Sequence, residues 1–214
     1  MSKDIISSDQ QNLILSRLKS QGITNTSVLD IMSTMPRHLF IEPALKNRAY
    51  DDDALPIGFS QTISSPYIVA KMTQLLIEED NMGKVLEIGT GCGYQTAILA
   101  KLFTHVTTIE RIKPLQQKTE NLLKKLEYKN IKFVYGDGFD GYYANAPYDA
   151  IIMTASPSDI PEKLVSQLTS NGRMVLPLNM NGKQKLFRVK NTKNGVFKKE
   201  VDDVLFVPML EGVI

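Results

Sequence analysis

Two histidines and one cysteine leave this 214-residue chain short of the side chains that bind metals or form disulfides. His38 and His105 stand far apart with no cysteine beside them, so no metal site is expected. With Cys92 alone no intramolecular disulfide can form, and the chain suits a reducing compartment. No apolar run approaches the roughly 20 residues that span a bilayer, so no membrane-spanning helix is expected. The opening Met1-Ser-Lys-Asp4 lacks the basic start and apolar core of a secretion signal, which makes a cytoplasmic location the expectation. An excess of one charge is lacking too. The net charge of +2 and isoelectric point near 8.5 demand neither nucleic acid nor an anionic membrane. Internal repeats and low-complexity tracts are absent, and the length suits a single domain with a sizeable core.

What is present is an alternation of strand and helix patterns from Lys84 onward. Strands are expected at 84–88, 105–109, 131–135, 149–153 and 173–178, with helices at 93–103, 113–127 and 161–168 between them. Such alternation means a parallel sheet with right-handed crossovers. Ahead of it, a first helix is expected over Asp9 to Ser20, capped by Ser7 or Ser8 and stopped at Gly22. A second runs from Ser27 and ends before Pro36. An irregular segment, Asp51 to Ser65, leads to a helix opened by Pro66. After the parallel part, Lys185 to Val189 and Val196 to Val201 read as strands joined at Asn194-Gly195, and Leu205 to Pro208 is expected to end the sheet. The expected class is α/β: a Rossmann-like sheet in one domain over 1–214. It comprises an N-terminal helical and loop region (1–80), a cofactor-binding core (84–178) and a C-terminal antiparallel extension (183–214).

The stretch Lys84-Val-Leu-Glu-Ile-Gly-Thr-Gly-Cys-Gly-Tyr-Gln-Thr96 places Gly89, Gly91 and Gly93 at the end of the first parallel strand. Glycine there lets the backbone turn sharply and approach a ligand closely. A dinucleotide fingerprint needs its third glycine at 94 or 96, where Tyr94 and Thr96 stand. Glu87, just ahead of the loop, suits a cationic or hydroxylated ligand better than a pyrophosphate. S-adenosylmethionine fits, having a sulfonium, an amino group and a ribose but no phosphate. Glu110 ends the next strand about 20 residues on, where ribose hydroxyls are usually read. Asp137 follows the third, in Gly136-Asp-Gly138. Any one of these carboxylates taken alone is more often a helix cap or a solvated charge. Three at successive strand ends make a coherent site.

The segment Leu55-Pro-Ile-Gly-Phe-Ser-Gln-Thr-Ile-Ser-Ser-Pro66 is uncharged, rich in hydroxyls, and ends at a helix N-terminus whose free N–H groups favour a carboxylate. Alone, it also reads as an ordinary loop capped by Ser65. Taken with Pro36-Arg-x-x-Phe40, Leu86-Glu-Ile-Gly-Thr-Gly-x-Gly-Tyr-Gln-Thr-Ala97, Gly136-Asp-Gly138, Tyr148-Asp-Ala-Ile-Ile152, Gln167-Leu168, Gly172-Arg173 and Phe206-Val-Pro208, it resembles the protein-L-isoaspartate O-methyltransferases. The resemblance runs in order from about residue 10 to 210. Gln61-Thr-Ile-Ser64 is its diagnostic part, because most methyltransferases of this fold share the glycine loop.

The resemblance implies a repair enzyme that moves a methyl group from S-adenosylmethionine to the free α-carboxylate of an L-isoaspartyl residue in damaged proteins and peptides. The ester then closes to a succinimide, and hydrolysis returns some normal aspartate. It also implies Ser64 as the active-site residue, with Thr62 and Ile63 beside it at the cofactor. Gly89 and Gly91 are placed against the methionine and ribose portions with Glu87 behind them, Glu110 on the ribose hydroxyls, and Asp137 and Gly138 at the adenine. A monomer that uses neither nucleic acid nor a membrane is expected. Two positions depart from the family pattern: Cys92 replaces a common serine, and His38 stands where an acid is frequent.

Two rival classes remain open on the residues. Lys183 to Lys199 holds seven lysines or arginines and no acid, as a nucleic-acid methyltransferase could use. Base-stacking aromatics are sparse there, however. Met153-Thr-Ala-Ser-Pro157 also stands where amino-methylating nucleic-acid enzymes carry a Pro-Pro-aromatic tetrad. The other rival is a non-catalytic cofactor-binding relative, against which the intact Ser64 loop argues.

Overall fold

The computed structural model describes residues 6–77 and 82–214. Helix α1 (Ser8–Ser20) is capped by the Ser7 hydroxyl, which accepts the Gln10 N–H. Helix α2 (Thr26–Thr34) is capped by Asn25, which accepts the Val28 N–H, so it starts slightly ahead of its apolar pattern. The stretch expected to be irregular contains a hairpin, strands β1 (Leu55–Gly58) and β2 (Gln61–Ile63). Its turn residues Phe59 and Ser60 have φ of 53° and 55°. A tight hairpin turn of this kind demands positive φ at both positions, and the residues that signal it are Asn, Asp and Gly. Phe-Ser carries no such signal, which is why the hairpin was hidden. Helix α3 (Pro66–Leu76) follows, with Pro66 in its first turn and the Ser65 hydroxyl accepting the Ile68 N–H.

Seven further strands form one sheet: β3 (Lys84–Ile88), β4 (His105–Glu110), β5 (Ile131–Tyr135), β6 (Tyr148–Met153), β7 (Leu168–Met180), β8 (Lys183–Thr192) and β9 (Gly195–Asp203). Their order is β5-β4-β3-β6-β7-β8-β9. The first five in that order are mutually parallel and the last two antiparallel. Helices α4 (Tyr94–Leu102) and α5 (Lys113–Lys125) make the crossovers after β3 and β4. The helix expected over 161–168 is a single turn, α6 (Glu162–Val165), because β7 begins at Leu168.

One expectation fails outright. Leu205 to Pro208 is not a sheet strand; it makes a single bridge, Pro208 to Ser156, and β9 is the edge. The reason lies in its backbone partners. The Gln184 side-chain amide takes both the N–H and the carbonyl of Phe206. Ser156 then donates its N–H to Val207 and accepts the N–H of Met209. Residues 205–210 therefore leave the sheet edge and cross toward the carboxyl ends of the parallel strands.

Alternation along the strands divides the core. Val85, Ala150, Ile152 and Val175 face a layer built from α1 to α5, whereas Leu86, Ile88, Ile151 and Met153 face the opposite side. Between these layers β3 is flanked by β4 on one side and β6 on the other, so the strand order reverses there. Ligands of open α/β sheets bind in the crevice at such a reversal. Among the described residues, no helix is long and apolar enough to cross a membrane.

Candidate active site

The glycine loop occupies that crevice. Gly89, Gly91 and Gly93 have φ of 95°, 54° and 87°, the left-handed geometry that glycine adopts without strain. A Cβ on Gly89 would also collide with Thr154 Oγ1. Gly89 and Gly91 both line the cleft, and α4 starts directly behind the loop.

Glu87 supports the loop from beneath. It is wholly buried and lines no part of the cleft; Thr96 and Thr108 both donate to its Oε2, at 2.5 and 2.6 Å, while Oε1 has no partner. Burial pushes this carboxyl up to about 8, against the two hydroxyl bonds that favour the charged form. The folded protein therefore holds a proton that an unfolded carboxyl releases near its ordinary value. The resulting stabilisation is complete at low pH and lost as pH rises through about 8. Glu87→Gln, which keeps the neutral shape, is expected to flatten the fall in Tm between about pH 5 and about pH 8. Parallel Tm profiles for the two proteins would show that Glu87 ionises freely in the fold.

Glu110 ends β4 and does line the cleft. Its Oε2 accepts the Gly91 N–H at 2.9 Å and its Oε1 the Ile112 N–H at 3.0 Å, although the residue is only 6% exposed. It ties the glycine loop to the start of α5 and keeps acceptor capacity on both oxygens. Gly138 also lines the cleft, and a Cβ there would collide with Ile88. The Asp137 carboxylate is turned away to two backbone amides, Phe139 N–H at 2.9 Å and Gly212 N–H at 2.6 Å. It holds residues 209–212 over the cleft, where Met209 and Leu210 form a wall.

The β1–β2 hairpin closes the other side. Ile63 is buried and anchors it, Thr62 is exposed, and Ser64 is half-buried. Adjacent serines divide the work: Ser65 caps α3, while the Ser64 hydroxyl has no hydrogen-bond partner among the described residues. Three connected cavities meet here. The main cleft, about 660 Å³, carries Glu110, Gly89, Gly91 and Gly138. An inner pocket adds Ile63, Ser64 and Gln95, and an outer groove opens between Ser64 and residues 203–207. Thr62 and Thr154 border all three.

Thr154 is the residue that sequence reading passed over. Only its position just after β6, beside the glycine-loop strand, could have signalled it. His38 and His105 border none of these cavities, and no group of side chains among the described residues is arranged to hold a metal. Cys92 sits at the inner pocket and packs against the core. None of the hairpin's seven basic residues lines these cavities; Lys185 pairs with Glu200 and Asp203, and Arg188 donates to the Leu75 carbonyl.

A family model for protein-L-isoaspartate(D-aspartate) O-methyltransferases matches residues 8–213. The chain belongs to this family. A protein-L-isoaspartate O-methyltransferase of Pseudomonas paraeruginosa is 46% identical over 201 residues, covering 94% of this chain and 95% of its own. One from Pseudomonas syringae pv. tomato matches at the same identity and length. A Plasmodium falciparum protein assigned to this methyltransferase class, solved with S-adenosyl-L-homocysteine, superposes with a TM-score of 0.82 at 27% identity, covering 94% of this chain and 98% of its own.

Proposed function

We propose that this protein transfers a methyl group from S-adenosyl-L-methionine to the free α-carboxylate of L-isoaspartyl residues in damaged proteins and peptides. Family membership over nearly the whole chain supports the reaction. The observation that carries it in the structure is the unpartnered Ser64 hydroxyl, on a residue that lines both the inner pocket and the outer groove.

The residues fit the cofactor. A glycine-rich loop backs the main cleft and a carboxylate with spare acceptor sites stands at its side. Arg111, the one arginine lining the cleft, donates to the carbonyls of Glu211 and Gly212. In this reading Gly89 and Gly91 admit the methionine and ribose portions, Glu110 takes the ribose hydroxyls, and Gly138 makes room for the adenine. Thr62 and Ile63 form the cover with Ser64. Asp137 and Glu87 act through others, the first by holding the 209–212 wall and the second by shaping the glycine loop.

When bound, S-adenosyl-L-methionine supplies a methyl group on a positively charged sulfur. The acceptor carboxylate, with an ordinary pKa of about 3.5, is already ionised at neutral pH. No general base is needed, in keeping with cavities that no histidine borders. The protein's task is placement: Ser64 donates a hydrogen bond to the acceptor carboxylate, and the hairpin keeps water from the reacting groups. We place this activity in a cytoplasmic monomer acting as one domain, with no nucleic acid partner.

Tritiated methyl incorporation tests the reading. An isoaspartyl peptide is expected to be labelled, whereas its normal aspartyl twin and nucleic acid are not. Label on nucleic acid alone, or on nothing, overturns it.

A further inference from the structure

A site that methylates isoaspartyl residues must reject the far commoner aspartyl ones, and the two differ in one respect. In an isoaspartyl residue the free carboxylate and the amide N–H are borne on the same carbon, so nitrogen and carboxylate carbon lie about 2.5 Å apart. In normal aspartate a methylene intervenes and the separation grows to between about 3 and about 4 Å, depending on χ1. A site with one fixed donor for the carboxylate and one fixed acceptor for that N–H would read the difference directly.

Ser64 is the donor in the reading above, on which this inference rests. The structure offers one side chain as its counterpart. Thr154 borders both cavities that Ser64 borders, and it is the sole residue from the carboxyl ends of the parallel strands among those lining the outer groove. Its hydroxyl proton is already spent: Oγ1 lies 2.8 Å from the Gly89 carbonyl and 3.1 Å from that of Ile88. A hydroxyl has one proton and two lone pairs. With the proton directed into the glycine loop, lone pairs are all that Oγ1 has left to offer a ligand. Thr154 therefore cannot bind a carboxylate, which has no proton to give, but it can accept an N–H. The Gly89 contact holds Oγ1 in place against the loop.

We propose that Thr154 is a specificity-determining residue that accepts the amide N–H of the isoaspartyl residue itself. With Ser64 on the carboxylate, the pair measures the one-carbon spacing and leaves normal aspartate with one of its two groups unpaired. A buried polar group without a partner is penalised far more than an extra methylene, so such a pair discriminates strongly.

The test removes the N–H without adding bulk. L-Malate replaces the isoaspartyl residue in a synthetic peptide, so that an ester oxygen stands where the N–H was and the free carboxylate is kept. For the wild-type protein, kcat/KM is expected to fall at least about tenfold from the amide peptide to the ester peptide. Thr154→Val should lower kcat/KM for the amide peptide to the level of the ester and lose the preference between them. Thr154→Ser should retain that preference. Equal kcat/KM for amide and ester with the wild-type protein would overturn the proposal, whatever the variants do. So would a Thr154→Val protein that keeps the full preference; a raised Kd for S-adenosyl-L-homocysteine in that protein would show that Thr154 serves the cofactor instead. If the wild-type protein labels neither peptide, the isoaspartyl reading falls and the proposal with it.

Discussion

Ser64→Ala is expected to lower kcat by roughly one to three orders of magnitude, the scale of losing one positioned hydrogen-bond donor. Three features make this a clean experiment. The Ser64 hydroxyl holds nothing else in the described structure together, so its loss leaves the fold intact. The neighbouring Ser65 caps α3, which keeps the helix start unaltered in the variant. Ser64 also lies outside the lining of the main cleft, so cofactor affinity should change little. The expected pattern is thus a fall in kcat with near-constant Kd for S-adenosyl-L-homocysteine and an unchanged Tm. Near-wild-type turnover in a steady-state assay would remove Ser64 from the mechanism.

Glu110→Ala should act on the other half of the site. A hydrogen bond to a charged group is worth about 1.5–3 kcal/mol, so losing a carboxylate that takes ribose hydroxyls should raise the cofactor Kd at least about tenfold. Part of the loss comes through the protein, because the same carboxylate anchors the Gly91 and Ile112 amides. Titration calorimetry with S-adenosyl-L-homocysteine and with methylthioadenosine separates the two. If Glu110 reads the ribose, both ligands weaken alike, since both carry it. An unchanged Kd for both would leave Glu110 as a loop anchor alone.

Much of this site can be read from the chain because its determinants are local. The three glycines announce a loop that only positive φ can make, and their spacing past Gly91 excludes a dinucleotide. Glu110 could be placed by counting to the next strand end. The parallel sheet followed from apolar runs of five or six residues separated by helical periods. The hairpin at β8–β9 was marked by Asn194-Gly195, a turn whose chemistry is written in its two residues.

What stayed hidden depends on partners distant in sequence. The β1–β2 turn passes through Phe59 and Ser60, held at positive φ against their own preferences. Residues 205–208 have the look of a strand, yet Gln184 and Ser156 capture their backbone and draw them across the site. Asp137 reads as a cofactor contact alone, and nothing in the chain announces that it also ties down the Gly212 amide. Thr154 carries no motif; the direction of its proton, set by the Gly89 carbonyl, is what gives it meaning.

By itself the sequence determined the fold class and the cofactor, since each rests on residue type and spacing along short stretches of chain. The tertiary structure decided which of two adjacent serines is free, which acids face the cleft and which stand behind it, and what closes the site. Those outcomes turn on single hydrogen bonds between segments far apart in the chain, 75 residues in the case of Asp137 and Gly212. A polar group takes whichever partner the fold brings within reach.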